Sequence, residues 1–293
     1  MDGKRPVVIL DTSAHNRMFK DGAASEEIFA ALKVGYFVRI AGLSVEELIA
    51  TPDAADRANL VACANRLQAG PGDCLLPQNE MLRALIAAYE RNPATFDWRA
   101  VNVTFPDCAR ELSRAEIVTD DNLAAQQRQH LIAASKEFEG VWSALRPKLE
   151  EIIERHGEKA PTDLQEIIPM VEAEGGLVLG IAQGLYSRPA KGDTSEATVS
   201  DFLQKCPPFR AVVYAFLLPW FDRALADRHK REKYTAGRID LFMAIYLPYC
   251  DVFVSAEGKG MQAKCLSEIA RVAKLTTHVC SYDEFCNSLV VTV

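Results

Sequence analysis

Val7-Val-Ile-Leu-Asp-Thr-Ser13 is the stretch that decides the fold, because four apolar residues run without interruption into a carboxylate and two hydroxyls. Such a run without polar alternation is typical of a strand buried on both faces of a parallel sheet. In open α/β sheets, ligands bind beyond the carboxyl ends of the strands. Asp11 follows the predicted strand at that end, so it is a metal ligand, a nucleophile or the N-cap of the next helix.

The order of strand, turn and helix recurs along the chain. Residues 36–40 are rich in aromatic and β-branched side chains, which predicts a second strand ahead of a helix that begins at Ser44. Residues 251–255 repeat the pattern of a buried strand, and residues 276–280 predict a shorter one. The apolar residues of the long middle part are spaced as in helices. Strands are therefore expected near the two ends of the chain.

We predict an α/β fold in three layers, α/β/α, whose central, mostly parallel sheet has four to five strands. Each end alone supplies too few strands for a stable sheet, so the two ends are expected to pair. Residues 1–52 and 235–293 would form one discontinuous α/β domain, and residues 53–234 would form a large, all-helical insertion.

The composition is that of an ordinary globular protein and excludes several classes of function. The formal net charge of −7 argues against a polybasic nucleic-acid-binding protein. The eight cysteines form neither a Cys-x-x-Cys pair nor a zinc-ligand spacing, which favours reduced thiols in a cytoplasmic protein. The first residues lack the pattern of a signal peptide, and no stretch reaches the roughly 18 apolar residues of a membrane span.

Four carboxylates stand at the carboxyl ends of predicted strands or in adjoining helices: Asp11, Glu47, Asp240 and Glu257. Clustered carboxylates without cationic partners repel one another and are stable only around a cation. Oxygen ligands from few side chains favour Mg²⁺ or Mn²⁺, which can activate water for attack at phosphorus. Glu46 is the alternative to Glu47, because Ser44 and Glu47 also fit a capping box, in which Glu47 would bind its own helix start.

These segments, in this order, resemble the PIN domain family of metal-dependent ribonucleases, which includes bacterial toxins of toxin–antitoxin pairs. The resemblance rests on Val8-Ile-Leu-Asp11-Thr-Ser13, Ser44-Val-Glu-Glu47, Ile239-Asp240-Leu, Val252-Phe-Val-Ser255-Ala-Glu257 and Thr277-His-Val-Cys-Ser-Tyr-Asp-Glu-Phe285. It covers the two ends of the chain, whereas the middle matches nothing in a minimal PIN domain. The family's last site reads Thr-x-Asp, and here it reads Ser255-Ala-Glu257, whose longer side chain would move the carboxylate.

The resemblance implies a ribonuclease that hydrolyses RNA with Mg²⁺ or Mn²⁺ held by Asp11, Glu47 and Asp240, with Glu257 helping. It also implies that an antitoxin or another protein partner, and a homodimer, are worth testing. Ser13 and Ser255 are candidates to orient the carboxylates or bound water, and turn and cap chemistry is the alternative for both.

A basic stretch just before Asp240 is a candidate contact for the phosphates of a nucleic acid: Arg228, Lys230, Arg231, Lys233 and Arg238. A solvated helix end is the alternative interpretation of these cations. The alternative function is a catalytically weak or inactive PIN-like binding or scaffold protein, because the Ser-Ala-Glu site departs from the family pattern and the insertion is long. That alternative predicts no metal at the carboxylates.

Overall fold

The computed structural model describes residues 5–22, 24–68, 72–106, 108–112, 114–156, 164–229, 241–256 and 261–290. Its centre is a five-stranded sheet in which all neighbouring strands pair in parallel. The strands are β1 (Val7–Leu10), β2 (Phe37–Ile40), β3 (Gly72–Cys74), β4 (Val252–Ser255) and β5 (His278–Ser281). Their order across the sheet is β3-β2-β1-β4-β5.

Helices connect and cover these strands. The helices before residue 157 are α1 (Thr12–Lys20), α2 (Ala24–Gly35), α3 (Gly42–Ile49), α4 (Ala54–Gln68), α5 (Gln78–Arg91), α6 (Cys108–Leu112), α7 (Ala115–Thr119) and α8 (Asp121–His156). Those after it are α9 (Leu164–Ala173), α10 (Gly175–Ser187), α11 (Glu196–Lys205), α12 (Pro207–His229), α13 (Met261–Val272) and α14 (Tyr282–Val290). A 3₁₀ helix, Met243–Tyr249, leads into β4.

Side chains of β1 alternate between two hydrophobic cores, one on each face of the sheet. Ile9 packs into the core that α5 and the helices from α8 to α13 build on one face. Val8 and Leu10 pack into the core that α1 to α4, α6 and α14 build on the other. A strand covered on both faces needs apolar residues throughout, which explains the unbroken apolar run. The predicted three-layer α/β/α fold with four to five strands is confirmed, and the described sheet is wholly parallel.

Strand β3 lies inside the stretch that the sequence analysis predicted to be all-helical, so that prediction was wrong for residues 72–74. The three residues Gly-Asp-Cys hold too few apolar side chains to give a strand pattern. The strand forms because its backbone pairs with β2, where Val38 lies opposite Gly72 and Ile40 opposite Cys74. Strand formation at this position therefore depends on the tertiary context rather than on local propensity.

The helices of the second half form a layer beyond the Ile9 face of the sheet. Helix α12 lies at its centre and contacts α8, α9, α10, α13 and the 3₁₀ helix Met243–Tyr249. Its residues Phe209, Ala211 and Val212 are fully buried, on more than one side of the helix. A helix that is apolar on all sides is stable only when other elements surround it, which is the case here.

Two further observations bear on the composition. All eight cysteines are free, and seven of them are buried in the protein as small apolar side chains. Among the residues described, no helix combines the length and the hydropathy needed to span a bilayer.

Candidate functional site

The chain changes direction across the sheet between β1 and β4. From β1 it first adds β2 and β3 on one side, and it later adds β4 and β5 on the other. At such a switch point the connections leave the carboxyl ends of the strands in opposite directions, and the crevice between them is where ligands bind in open α/β sheets. Asp11 is the first residue beyond β1, and its backbone N–H donates to the Val254 carbonyl of β4 (3.0 Å). Asp11 therefore lies at this crevice.

The carboxylate of Asp11 is buried and held in one orientation. The residue is 2% exposed, and its Oδ1 accepts hydrogen bonds from the backbone N–H of Ala14 (2.7 Å) and from the hydroxyl of Ser13 (2.6 Å). It is thus the N-cap of α1, which was one alternative for this residue. Capping fixes the carboxylate at the end of the strand and is compatible with a ligand role.

Ser13 joins the carboxyl ends of β1 and β4. Its Oγ donates to Asp11 Oδ1 and accepts a hydrogen bond from the backbone N–H of Ala256 (2.8 Å). Ser255, the last residue of β4, is 1% exposed and directly precedes this contact. Both serines therefore lie at the crevice beside Asp11, where the sequence analysis placed them, and the described contacts of Ser13 orient the carboxylate.

Glu47 is directed toward the same edge of the sheet. The Thr12 hydroxyl, one residue after Asp11, donates a short hydrogen bond to Glu47 Oε2. Glu47 is half-buried, as is its neighbour Glu46. The Thr12 contact orients Glu47 toward the residues that follow β1, so Glu47 is the better candidate of the two.

The capping box that would have kept Glu47 at its own helix start is not formed. Helix α3 begins at Gly42 with Ala41 as its N-cap, and this cap makes no side-chain hydrogen bond. Ser44 therefore lies inside the first turn, where its Oγ is buried and bonds to no atom of the described chain. Tertiary contacts replace the cap, since the Leu43 N–H donates to the Tyr246 hydroxyl (3.1 Å), which itself donates to the Leu76 carbonyl (3.1 Å).

Several residues that the sequence analysis selected lie outside the described residues. They are the carboxylates Asp240 and Glu257 and the cations Lys230, Arg231, Lys233 and Arg238; Arg228 belongs to α12, but its side chain is not described. Of the four predicted ligands, Asp11 and Glu47 have described positions. The described part of the chain contains no group of three or more His, Cys, Asp or Glu side chains able to hold a metal ion.

A cavity of about 690 Å³ opens beside the crevice, between the carboxyl ends of β4 and β5. Ser255 and Ala256 line it, together with Arg17 of α1 and Lys264 of α13. Arg17 also forms an ion pair with Asp21, four residues further along α1 (3.1 Å). Three carboxylates, Glu268, Asp283 and Glu284, line the same cavity, so the two cations lie among acidic side chains. Sequence reasoning missed both, because neither belongs to a charge cluster and only the fold brings them together.

A buried histidine of α1 lies close to Asp11. His15 is fully buried one turn after Asp11, and its backbone N–H donates to the Asp11 carbonyl (3.0 Å). Burial lowers the pKa of His15 to about 4, since the charged imidazolium loses its hydration. Both ring nitrogens are buried without a hydrogen-bond partner in the described chain. The imidazole is therefore uncharged at neutral pH and does not neutralise the Asp11 carboxylate.

The described geometry brings two carboxylates and three hydroxyl side chains from separate elements to one edge of the sheet. Carboxylate oxygens fixed by hydroxyl donors are suited to a hard divalent cation. Comparisons of the chain with protein-family models, with curated proteins and with solved structures find no match.

Proposed function

We propose that this protein is a metal-dependent nuclease that hydrolyses RNA phosphodiesters at the crevice between β1 and β4. The observation that carries the proposal is the link between Asp11 and Glu47, two carboxylates of different elements that Thr12 connects at the switch point of the sheet. The order of the PIN-like sequence segments supports the same assignment.

The residues at the crevice fit a divalent cation. Among the described contacts, two donors hold Asp11 and one holds Glu47, so two oxygen ligands are oriented in advance. Asp11 and Glu47 would hold Mg²⁺ or Mn²⁺, and Asp240 and Glu257 are the proposed further ligands. When bound, such an ion lowers the pKa of water and offsets charge that develops on the phosphate.

The chain's own side chains would position the RNA and the ligands. Ser13 holds Asp11 Oδ1 and the end of β4 together, so the carboxylate cannot turn away from the crevice. Thr12 joins Glu47 to the first turn of α1, which Asp11 caps. Arg17 and Lys264 are the candidates for phosphate contacts on the β5 side of the crevice, in a cavity that Glu268, Asp283 and Glu284 also line. Because these contacts are ionic, RNA binding is expected to weaken as the salt concentration rises.

We also propose a cytoplasmic location. The eight cysteines are free and seven are buried, which suits a reducing compartment.

The test compares Asp11→Asn with Asp251→Asn. Asparagine retains the oxygen that caps α1, so Asp11→Asn should fold while losing the charge that binds the cation. Asp251 is the matched control, because its Oδ2 accepts the Val7 N–H (2.7 Å) at the amino ends of the strands, the opposite edge of the sheet. RNA and single-stranded DNA of the same sequence are incubated with each protein in Mn²⁺, with and without EDTA.

We expect the wild-type protein and Asp251→Asn to cleave RNA in Mn²⁺, and EDTA or Asp11→Asn to reduce cleavage at least about 100-fold. Equal activity of Asp11→Asn and wild type would contradict the proposal. Absence of cleavage together with no Mn²⁺-dependent rise in melting temperature would favour the scaffold function instead.

A further inference from the structure

A second groove, of about 740 Å³, lies between α5, α8, α10 and α12 on the Ile9 side of the sheet. This volume is within the range of roughly 300–1,000 Å³ that is typical of small-molecule sites. Its described lining shares no residue with the cavity beside β4 and β5. Phe216 packs edge-on against Trp220 and Phe242, with ring centroids 5.1 and 5.0 Å apart, and the three rings form an apolar wall.

Helix α10 presents bare backbone to this groove. Gly176, Gly180 and Gly184 follow one another at intervals of four residues, and all three line the groove. A Cβ built on any of them would meet no atom within 4 Å. Glycine inside a helix is less stable than alanine, and no neighbouring protein atom requires it here. The three glycines leave an open strip about 12 Å long, which the rise of the helix sets.

A buried amide lies at the same groove. Gln78, the first residue of α5, lines the groove and is 3% exposed. No described residue forms a hydrogen bond with its side-chain amide. Since Gln78 lines the open groove, a ligand there could form hydrogen bonds with its amide. The Gln78 amide offers such a ligand both a donor and an acceptor.

The charges around the groove are all of one sign. Arg83, Lys148 and Arg188 belong to its described lining, which contains no Asp or Glu. The whole chain has a formal net charge of −7, whereas the described lining of this groove carries positive charges. An anionic group is the charge that complements this rim.

From these observations, we propose that the groove binds an amphipathic organic anion, an apolar chain or ring system about 12 Å long that carries one carboxylate. The apolar part lies along the glycine strip of α10 against Phe216 and Trp220. The carboxylate lies near Arg83 and Lys148 and accepts a hydrogen bond from Gln78. The proposal does not depend on the nuclease assignment.

The test is calorimetric titration of the full chain with decanoate, which has an apolar chain and one carboxylate. We expect saturable binding of one decanoate with Kd on the order of 10–100 μM. Gly180→Phe places a ring in the groove and should weaken binding at least about 10-fold, by excluding the chain. Gly140→Phe is the matched control, because Gly140 is an exposed helical glycine of α8 whose added Cβ also meets no atom.

A second pair of variants tests the charge without touching the apolar strip. Lys148→Glu should weaken decanoate binding about 10-fold, whereas Lys136→Glu, exposed on the same helix and outside the groove lining, should leave it unchanged. Decan-1-ol should bind more weakly than decanoate. Failure of decanoate to bind, equal binding by folded Gly180→Phe, or equal affinity of Lys148→Glu and wild type would each overturn the proposal.

Discussion

Thr12 donates its hydroxyl hydrogen bond to the carboxylate of Glu47, which lies 35 residues further along the chain. This bond links the first turn of α1, which Asp11 caps, to α3, which follows β2. The position of Glu47 relative to Asp11 therefore depends on a side chain that is itself neither acidic nor a predicted ligand.

Replacing Thr12 by valine tests this dependence. Thr12→Val keeps the β-branched shape and removes the donor, so Glu47 loses its hydrogen bond to the first turn of α1. We expect the affinity for Mn²⁺ to fall about 10- to 100-fold, as is typical when a residue that orients a metal ligand is lost. Mn²⁺ titration followed by melting temperature measures this change. Thr12→Ser keeps the hydroxyl and should bind Mn²⁺ like the wild type, and an unchanged affinity of Thr12→Val would contradict the proposed role.

Gly42→Ala tests the close approach between α3 and the segment after β3. A Cβ at Gly42 would lie 2.6 Å from the Leu76 carbonyl carbon and 2.7 Å from the Leu75 oxygen, both backbone atoms. The helix must therefore move, and we expect the free energy of unfolding to fall by about 1–3 kcal/mol. Urea unfolding measures the loss. Gly140→Ala, where the added methyl group meets no atom, should be neutral or stabilising by up to about 1 kcal/mol.

The buried His15 predicts a pH-dependent loss of stability. Its pKa is about 4 in the folded protein and 6.5 in the unfolded chain, so below pH 6.5 only the unfolded chain takes up the proton. The free energy of unfolding therefore falls as the pH drops from 6.5 toward 4, by on the order of 3 kcal/mol from this residue. His15→Leu should lack this contribution.

Urea unfolding at pH 7 and pH 4.5 gives the free energy of unfolding at each pH. The loss between these pH values is then compared between the wild type and His15→Leu. The exposed His130→Gln serves as the control and should follow the wild type. If the wild type and His15→Leu lose equal stability between these pH values, His15 is not the buried neutral group described.

Arg57 predicts a large stability effect away from the site. It is fully buried in α4 and donates to the carbonyls of Thr51 (2.7 Å), Pro52 (3.3 Å) and Val118 (3.0 Å), and to Asp121 (2.8 Å). Arg57→Met leaves these carbonyls without their donor, and we expect the free energy of unfolding to fall by about 3 kcal/mol. Asp121→Asn removes only an ion pair whose acid is largely exposed, and it should cost less than about 1 kcal/mol in the same urea titration.

Strands β1 and β4 could be predicted from the sequence because each has a hydrophobic core on both faces. Their uninterrupted apolar runs result from this burial on both faces. Strand β3 has no such apolar run, since Gly72 and Asp73 contribute nothing to a hydrophobic pattern. This strand depends on pairing with β2. The position of Asp11 followed from the end of a strand, which is a local signal.

The contacts around Asp11 could not be predicted from local sequence patterns. The start of α3 at Gly42 rather than at Ser44 is set by Tyr246, which lies far away in the chain. The Thr12–Glu47 bond also joins distant segments, and so does the cavity that Arg17 and Lys264 both line. Local patterns identify residue types and strand ends, whereas contacts of this kind exist only after the chain has folded.

The bond between Ser13 and the backbone of Ala256 joins positions 243 residues apart. During synthesis on a ribosome at about 5–20 residues per second, β1 therefore waits on the order of ten seconds to a minute before its partner β4 emerges. Until then β4 and β5 are missing from the sheet, and the crevice beside Asp11 is not yet formed. Any activity that needs both β1 and β4 begins only after β4 has been synthesised, and a chain truncated before β4 would lack it.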